Sequence, residues 1–181
     1  MIYLIGGAPR VGKSILSQQV SSNLRVGWIS TDLLMELLRV KKEAGIKVQW
    51  NAAPDAIVAN AEWFSPYLER FIWGASSMAE NYVIEGVDFL PAQVVQLSTQ
   101  YPIRSIFLGR SRMTLQTFDQ FPGRSRGYSS VPEELRLQIV RDVPLWSEFI
   151  QQKANQAGYP YIDMSDDFHS RLKEAEAMLT P

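Results

Sequence analysis

One glycine-rich motif constrains this 181-residue chain more than any other feature. Residues 7–14 read Gly-Ala-Pro-Arg-Val-Gly-Lys-Ser, which fits the pattern G-x-x-x-x-G-K-[ST] without a mismatch. The apolar run 2–5 precedes the motif, and a segment with a helical pattern, 15–24, follows it. A strand, a glycine turn and a helix in this order bring backbone N–H groups and the positive end of the helix dipole to one point. The motif therefore predicts a site for phosphate oxygens at the start of the first helix.

The residues of this motif, named here the phosphate loop (residues 7–14), predict distinct roles. Lys13 would reach the β- and γ-phosphates of a nucleotide, and the hydroxyl of Ser14 would be a magnesium ligand. We therefore expect ATP and Mg²⁺ as cofactors. The alternative is a glycine turn that merely joins a strand to a helix, but the complete match and its flanks favour phosphate binding. The expected nucleotide-binding residues are Gly7, Ala8, Pro9, Arg10, Val11, Gly12, Lys13, Ser14 and Ile15.

The rest of the chain predicts one α/β domain that spans residues 1–181. Its length suits a single core, and its composition, 46% hydrophobic and 20% charged, is ordinary for a globular domain. Strands alternate with helical patterns, which predicts a parallel sheet covered by helices on both faces. In such a sheet, ligands bind at the carboxyl ends of the strands. The predicted strands after the first are 26–30, 82–85, 103–108 and 159–163.

Two of the helical segments give more detailed predictions. Thr31 is a plausible N-cap for a helix that places four leucines on one face: Leu33, Leu34, Leu37 and Leu38. The longest helical candidate, 54–81, contains Pro66, which should kink or split it. Its aromatic residues between Trp63 and Trp73 favour a core position, with a wall of the acceptor site as the alternative.

Carboxylates stand at the ends of two predicted strands. Glu85 ends the third strand, where it can hold a water of the magnesium shell or orient an acceptor. Asp32 follows the second strand, where it can take a proton from an acceptor hydroxyl or only hydrogen-bond the acceptor. The alternatives are a solvent-exposed carboxylate at 85 and a partner of the helix dipole at 32. We assign the acceptor site to Asp32, Gly86 and Asp88.

Arginines are concentrated in the segment 101–131, which contains five of them and one acid. Gly109, Gly123 and Gly127 supply possible hinges, so this segment predicts a small lid at about 110–131 that closes on the phosphates. A solvated basic surface is the alternative. Arg104 precedes the apolar part of the fourth strand, at the opposite end of the sheet, and is excluded. The catalytic candidates are Lys13, Asp32, Glu85, Arg110, Arg124 and Arg126.

Charge and composition narrow the range of partners. The net charge of −1 gives no global attraction to nucleic acid or to a membrane surface. The chain has no cysteine, which excludes disulfides, zinc–thiolate sites and cysteine nucleophiles. No apolar run approaches the roughly 20 residues of a membrane span, and the first strand follows Met1 directly. We therefore expect a cytoplasmic protein without a membrane partner; the oligomeric state is not predicted.

These residues resemble the nucleoside-monophosphate-kinase-like group of P-loop (Walker A) kinases. Adenylate kinases carry I-S-T-G-D after the second strand and D-G-F-P after the third, where this chain has Ile-Ser-Thr-Asp at 29–32 and Glu-Gly-Val-Asp-Phe-Leu-Pro at 85–91. The missing glycine and the changed second stretch make it more similar to 2-phosphoglycerate kinases and other small-molecule kinases. The resemblance implies a three-layer P-loop NTPase fold, the sheet order 2-3-1-4-5, an arginine-bearing lid, and adenine against residues 165–167.

The sequence thus supports three hypotheses. The first is an ATP- and Mg²⁺-dependent kinase that transfers the γ-phosphoryl group to a hydroxyl or phosphate of a small metabolite. The second is a kinase of nucleotides or polynucleotide ends, although the basic segment has few interleaved aromatic residues. The third is a regulatory module that binds a nucleotide without transferring its phosphate, although both Lys13 and Ser14 are kept.

Overall fold

The computed structural model of this chain describes residues 1–39, 52–120 and 132–180. Strands and helices alternate along most of its length, as the sequence predicts. The elements follow in the order β1 (Ile2–Gly7), α1 (Lys13–Leu24), β2 (Gly27–Ser30), α2 (Thr31–Arg39), α3 (Pro54–Ser77), β3 (Tyr82–Glu85), α4 (Pro91–Ser98), β4 (Ile103–Gly109), α5 (Leu115–Gln120), α6 (Glu133–Ala157), β5 (Tyr161–Asp163) and α7 (Phe168–Leu179).

The five strands form one parallel sheet in the order β2-β3-β1-β4-β5. This confirms the parallel sheet predicted from the alternating pattern and the strand order implied by the resemblance. The register pairs Ser30 of β2 and Ile5 of β1 with Glu85 of β3. It also pairs Gly7 of β1 with Leu108 of β4. The carboxyl ends of these four strands therefore lie side by side, which is where the sequence places its site candidates.

Two groups of helices cover this sheet. Helix α1 packs against α7, and both contact strands of the sheet. Helix α4 packs against α3 and α6, and it also contacts β4. The central strand β1 is buried along its whole length, because helices cover both faces of a parallel sheet. The edge strand β2 is mostly only partly buried, because it has a neighbour on one side alone.

Helix α2 differs from its prediction at its start and in its orientation. It begins at Thr31, directly after β2, so Thr31 is not the N-cap; instead, Ser30 Oγ accepts a hydrogen bond from Asp32 N at 3.3 Å. Met35 is buried, whereas Leu33 and Leu37 are 58% and 68% exposed. The four leucines therefore do not share one buried face, because the burial of Met35 rotates the helix away from the predicted stripe.

Helix α3 runs as a single helix from Pro54 to Ser77, so of the two predicted effects of Pro66, a kink or a split, the split does not occur. The missing proline N–H removes one hydrogen bond inside the helix, but Pro66 lies on the exposed side, where water can serve the freed carbonyl. Phe64, Leu68 and Ile72 form a fully buried stripe at four-residue spacing. The core position predicted for the aromatic residues is therefore confirmed for Phe64, whereas Trp63 and Phe71 are partly buried and Tyr67 and Trp73 are exposed.

Candidate functional site

The phosphate loop is a tight turn that needs both of its glycines. Gly7 has φ +131°, and a Cβ atom there would lie 1.9 Å from the carbonyl oxygen of Leu108. Gly12 has φ +99°, and a Cβ atom there would lie 2.8 Å from the ring of Phe168. Ala8 N donates to Leu108 O at 3.0 Å, which fixes the loop to β4. The loop thus folds back over the end of β1 and leads into α1, where Ile15 N and Leu16 N donate to Gly12 O at 3.0 and 3.1 Å.

Lys13 is buried inside this turn. Its Nζ donates a hydrogen bond to Ala8 O at 2.6 Å, so the side chain folds back along the loop. Burial lowers the pKa of Lys13, and three nearby carboxylates oppose that shift, those of Glu85, Asp32 and Asp88. The amine is therefore held in the hollow of the loop with acidic side chains around it.

Ser14 and Glu85 meet across the gap between α1 and β3. Ser14 Oγ donates to Glu85 Oε1 at 2.9 Å. Glu85 ends β3 and is buried, as its place beside the central strand requires. The predicted convergence of a motif hydroxyl and a strand-end carboxylate is therefore present in the structure.

Asp88 is buried and accepts hydrogen bonds from two helices. Its Oδ2 accepts a hydrogen bond from Thr31 Oγ1, and its Oδ1 accepts one from Asn60 Nδ2 at 3.1 Å. Burial raises the pKa of Asp88, while the Thr31 hydrogen bond opposes that shift. Asp88 thus ties α2 and α3 to the connection after β3, and it is almost completely buried. Gly86 lies beside this contact, where a Cβ atom would be 1.9 Å from Thr31 Oγ1.

Asp32, in contrast, is exposed in the first turn of α2. It follows Ser30, which the sheet register places opposite Glu85. Asp32 is close enough to Lys13 to affect the pKa of the lysine amine. The structure therefore brings Asp32 to the same edge of the sheet as the phosphate loop, on the β2 side.

Arg110 follows β4 and is fixed by α6. Its backbone N donates to Ser147 Oγ at 2.8 Å. Its side chain is only 6% exposed, and within the described part of the chain Nε is buried without a hydrogen-bond partner. Burial lowers the pKa of Arg110; Asp163 raises it, and Arg10 lowers it further. Of the other catalytic candidates in the predicted lid, Arg124 and Arg126 lie outside the described residues, as does the stretch 121–131.

Asp163 joins the loops that follow β4 and β5. Its Oδ1 accepts from Ser111 N at 3.1 Å, from Ser165 N at 2.9 Å and from Ser165 Oγ at 2.6 Å. Burial alone would raise the pKa of Asp163, but hydrogen bonds from these two serines hold it below its ordinary value. Asp167 accepts from Ser170 N at 3.2 Å and caps α7. The segment 165–167, expected to lie against adenine, is thus ordered by its own contacts.

Sequence reasoning missed three residues that shape this site: Asn60, Asp163 and Phe168. Asp163 ends a predicted strand just as Glu85 does, so the same signal could have identified it. Asn60 is a polar residue three positions after the buried Ile57 of α3, which was a weaker signal. Nothing in the sequence indicates that Phe168 packs on Gly12, because that contact joins opposite ends of the chain.

The structure also limits what else the site can hold. Within residues 1–39, 52–120 and 132–180, no three His, Cys, Asp or Glu side chains come together as a metal-binding group. Magnesium bound with substrate phosphates keeps several waters and uses only one or two protein carboxylates, so Glu85 beside Ser14 is the pair that could bind this ion.

No helix in the described part of the chain is both long enough and apolar enough to cross a membrane.

Comparison with known proteins gives a fold but no sequence relative. No protein-family model matches this chain, and no curated protein matches it. It is similar to the solved structure of shikimate kinase from Bacteroides thetaiotaomicron, with 17% identity and a TM-score of 0.57 over 99% of this chain and 98% of that one. A gluconokinase from Sinorhizobium meliloti 1021 is 16% identical to this chain, with a TM-score of 0.51 over 98% of this chain and 90% of that one. Shikimate kinase from Aquifex aeolicus vf5 is 13% identical to this chain, with a TM-score of 0.50 over 99% of this chain and 96% of that one.

Proposed function

We propose that this protein is a P-loop kinase that transfers the γ-phosphoryl group of ATP to a small-molecule acceptor, with Mg²⁺. Its fold is the one found in the gluconokinase and shikimate kinase structures. The observation that carries the proposal is the meeting of three side chains at one edge of the sheet: Lys13 in the phosphate loop, and Ser14 hydrogen-bonded to Glu85. A fold alone does not define an activity, so this arrangement has the greater weight.

The geometry of the phosphate loop favours binding of a nucleoside triphosphate. Both glycines adopt positive φ angles, and neither position has room for a Cβ atom. The backbone N–H groups of the loop and of the start of α1, with the buried amine of Lys13, would supply the donors that phosphate oxygens require. Ser14 and Glu85 would hold hydrated Mg²⁺, Ser14 directly and Glu85 through water. When bound, this ion would neutralise negative charge on the phosphates.

The other side chains around the loop have different roles in the proposed phosphoryl transfer. Lys13 stabilises charge on the transferred group. Asp32, exposed on the β2 side, orients the acceptor hydroxyl and accepts its proton or a hydrogen bond from it. Asp88 and Gly86 shape the acceptor cleft by fixing α2 and α3. Arg110 supplies positive charge from the β4 side, and Arg124 and Arg126 would add to it from a lid at about 110–131.

The direct test is phosphoryl transfer from MgATP to a panel of acceptors that includes sugar acids, polyols and phosphorylated three-carbon acids. Lys13→Ala should lower turnover by at least 10²-fold, because it removes a preorganised positive charge from the transition state. Lys173→Ala, an exposed lysine of α7, is the matched control and should leave turnover unchanged. Unchanged turnover in Lys13→Ala would refute the assignment of the site.

The same assay separates this proposal from a regulatory nucleotide-binding module. Such a module would bind MgATP tightly without transferring phosphate to any acceptor in the panel. Asp32→Asn then adds a second readout: because the residue is placed at the acceptor, we expect the variant to lose turnover while its affinity for MgATP stays close to that of the wild type. A parallel loss of both would instead place Asp32 at the nucleotide.

A further inference from the structure

Asp88 joins two helices on the acceptor side of the phosphate loop, toward β2 and β3. Thr31, the first residue of α2, donates from Oγ1 to Asp88 Oδ2, and Asn60 of α3 donates from Nδ2 to Asp88 Oδ1 at 3.1 Å. Asp32 follows Thr31 in α2 and is exposed. One buried carboxylate therefore brings Asp32 and Asn60 to the same edge of the sheet, although they belong to different helices.

The charges at this edge are mainly negative. Burial raises the pKa of Asp88, and the hydrogen bond from Thr31 lowers it. The charges of Asp32 and Glu85 also raise it, and among the described residues Lys13 is the one cation that opposes them. The proposed function uses Lys13 and Glu85 at the nucleotide and its metal ion, which leaves Asp32 and Asp88 on the acceptor side. A proton on Asp88 would remove its charge, but it would not supply a positive one.

The polar atoms left on the acceptor side are mainly hydrogen-bond acceptors. An ionised carboxylate such as that of Asp32 has no donor. Asn60 gives an Nδ2 hydrogen to Asp88, and no described residue donates to Asn60 Oδ1. Asn60 is only partly buried. Oxygen atoms of this kind match hydroxyl donors, whereas a carboxylate or phosphate on the acceptor molecule would meet like charge.

We propose that the acceptor is an uncharged, hydroxyl-rich molecule such as a sugar or a polyol, and that Asn60 is a specificity-determining residue for it. Asn60 Oδ1 accepts a hydrogen bond from one hydroxyl, and Asp32 accepts one from the hydroxyl that is phosphorylated. In the transfer, the bond from the γ-phosphorus to the ADP oxygen breaks, a bond to the acceptor oxygen forms, and the hydroxyl proton passes to Asp32. This inference rests on the proposed function, from which it takes the acceptor site.

Acceptor pairs that differ by the oxidation of one CH₂OH group to a carboxylate test the charge of the acceptor. Suitable pairs are glycerol with glycerate, glucitol with gluconate, and glucose with glucuronate. We expect kcat/KM with MgATP to be higher for the neutral member by about tenfold or more, because like charges placed opposite each other are strongly disfavoured. This preference should shrink as NaCl is added, since salt screens exposed charges, whereas a preference due to shape would not change.

Two substitutions test the role of Asn60. Asn60→Lys puts a positive charge beside Asp88, so it should lower the ratio of kcat/KM for neutral over acidic acceptors by about tenfold. This ratio is measured on one preparation, so a reduced folded fraction cancels. Asn60→Ala should raise the KM for the neutral acceptor about threefold to tenfold, the effect of losing one hydrogen bond, while the KM for MgATP stays unchanged. The control Glu69→Gln removes an exposed carboxylate later in α3 and should keep the wild-type ratio.

The outcomes separate this inference from the function on which it rests. Equal or higher kcat/KM for the acids would overturn the inference and leave the kinase assignment in place. A wild-type ratio in Asn60→Lys would overturn the role of Asn60. Failure of every acceptor, neutral or acidic, to be phosphorylated would instead refute the proposed function.

Discussion

Asp88 is a buried carboxylate that should make the free energy of unfolding depend on pH. Burial raises its folded-state pKa above the ordinary value of 3.8. Between these two pKa values the folded state binds more protons than the unfolded state, so the free energy of unfolding falls as the pH rises through this interval. Asp88→Asn cannot titrate. We therefore expect the variant to gain stability relative to the wild type as the pH rises from about 3.8 through the raised pKa.

Urea unfolding of both proteins at a series of pH values measures this difference. Carboxylates that do not interact with Asp88 contribute equally in both proteins, so their effects cancel in the comparison. Parallel stability curves for Asp88→Asn and the wild type would mean that Asp88 titrates normally in the folded protein.

Gly86 is needed for space rather than for its backbone conformation. A Cβ atom at this position would lie 1.9 Å from Thr31 Oγ1 and 2.6 Å from Thr31 Cγ2. Gly86→Ala must therefore displace Thr31, which donates to Asp88. We expect a loss of about 1–3 kcal/mol in the free energy of unfolding, as for other overpacked sites, measured by chemical denaturation. Wild-type stability would show that α2 can shift without cost.

Residues within one continuous motif could be predicted from the sequence, whereas their distant partners could not. Lys13, Ser14 and the two loop glycines belong to one motif, so their spacing is enough to identify them. The contact of Asn60 with Asp88 depends on how α3 packs, and that of Phe168 with Gly12 depends on how α7 packs. Such contacts exist only after the tertiary fold has formed, and no local pattern encodes them.

At the scale of single elements, Gly74 offers a contrasting substitution within α3. A Cβ atom there would meet nothing within 4 Å, and the residue lies inside the helix. Gly74→Ala should raise the free energy of unfolding by about 0.5–1 kcal/mol, because alanine loses less backbone entropy than glycine in a helix. For a chain of this size we expect the melting temperature to rise by about 1–4 °C, measured by calorimetry. A lower melting temperature would indicate that α3 needs a flexible point at Gly74.

The existence of most elements could be predicted, but the orientation of α2 could not. Apolar runs and helical spacing identify the strands and the long helices, because burial imposes these periods locally. In α2, the leucine spacing at 33–38 predicts a single buried face. Thr31 and Met35 are buried instead, Leu34 and Leu38 are only partly buried, and Leu33 and Leu37 are exposed. The residues that follow α2, 40–51, lie outside the described part of the chain.

For the whole molecule, the alternation of strands and helices was enough to predict a parallel sheet. It was not enough for the strand order, because pairing between strands far apart in sequence leaves no local signal. The order 2-3-1-4-5 followed from the resemblance, and the structure confirms it. This order puts β2 and β3, with their carboxylates, on one side of the phosphate loop, and β4 with Arg110 on the other.

Because a nucleotide that binds only the folded state stabilises the whole chain, MgATP gives a test that needs no knowledge of the acceptor. At a concentration one hundred times its dissociation constant, MgATP should raise the free energy of unfolding by about 2.7 kcal/mol. For a domain of this size, that corresponds to a rise of about 5–11 °C in the melting temperature. Lys13→Ala should show a smaller rise at the same concentration, and MgCl₂ alone should show none. If MgATP left the wild-type melting temperature unchanged at millimolar concentration, the phosphate loop would not be a nucleotide site in this protein.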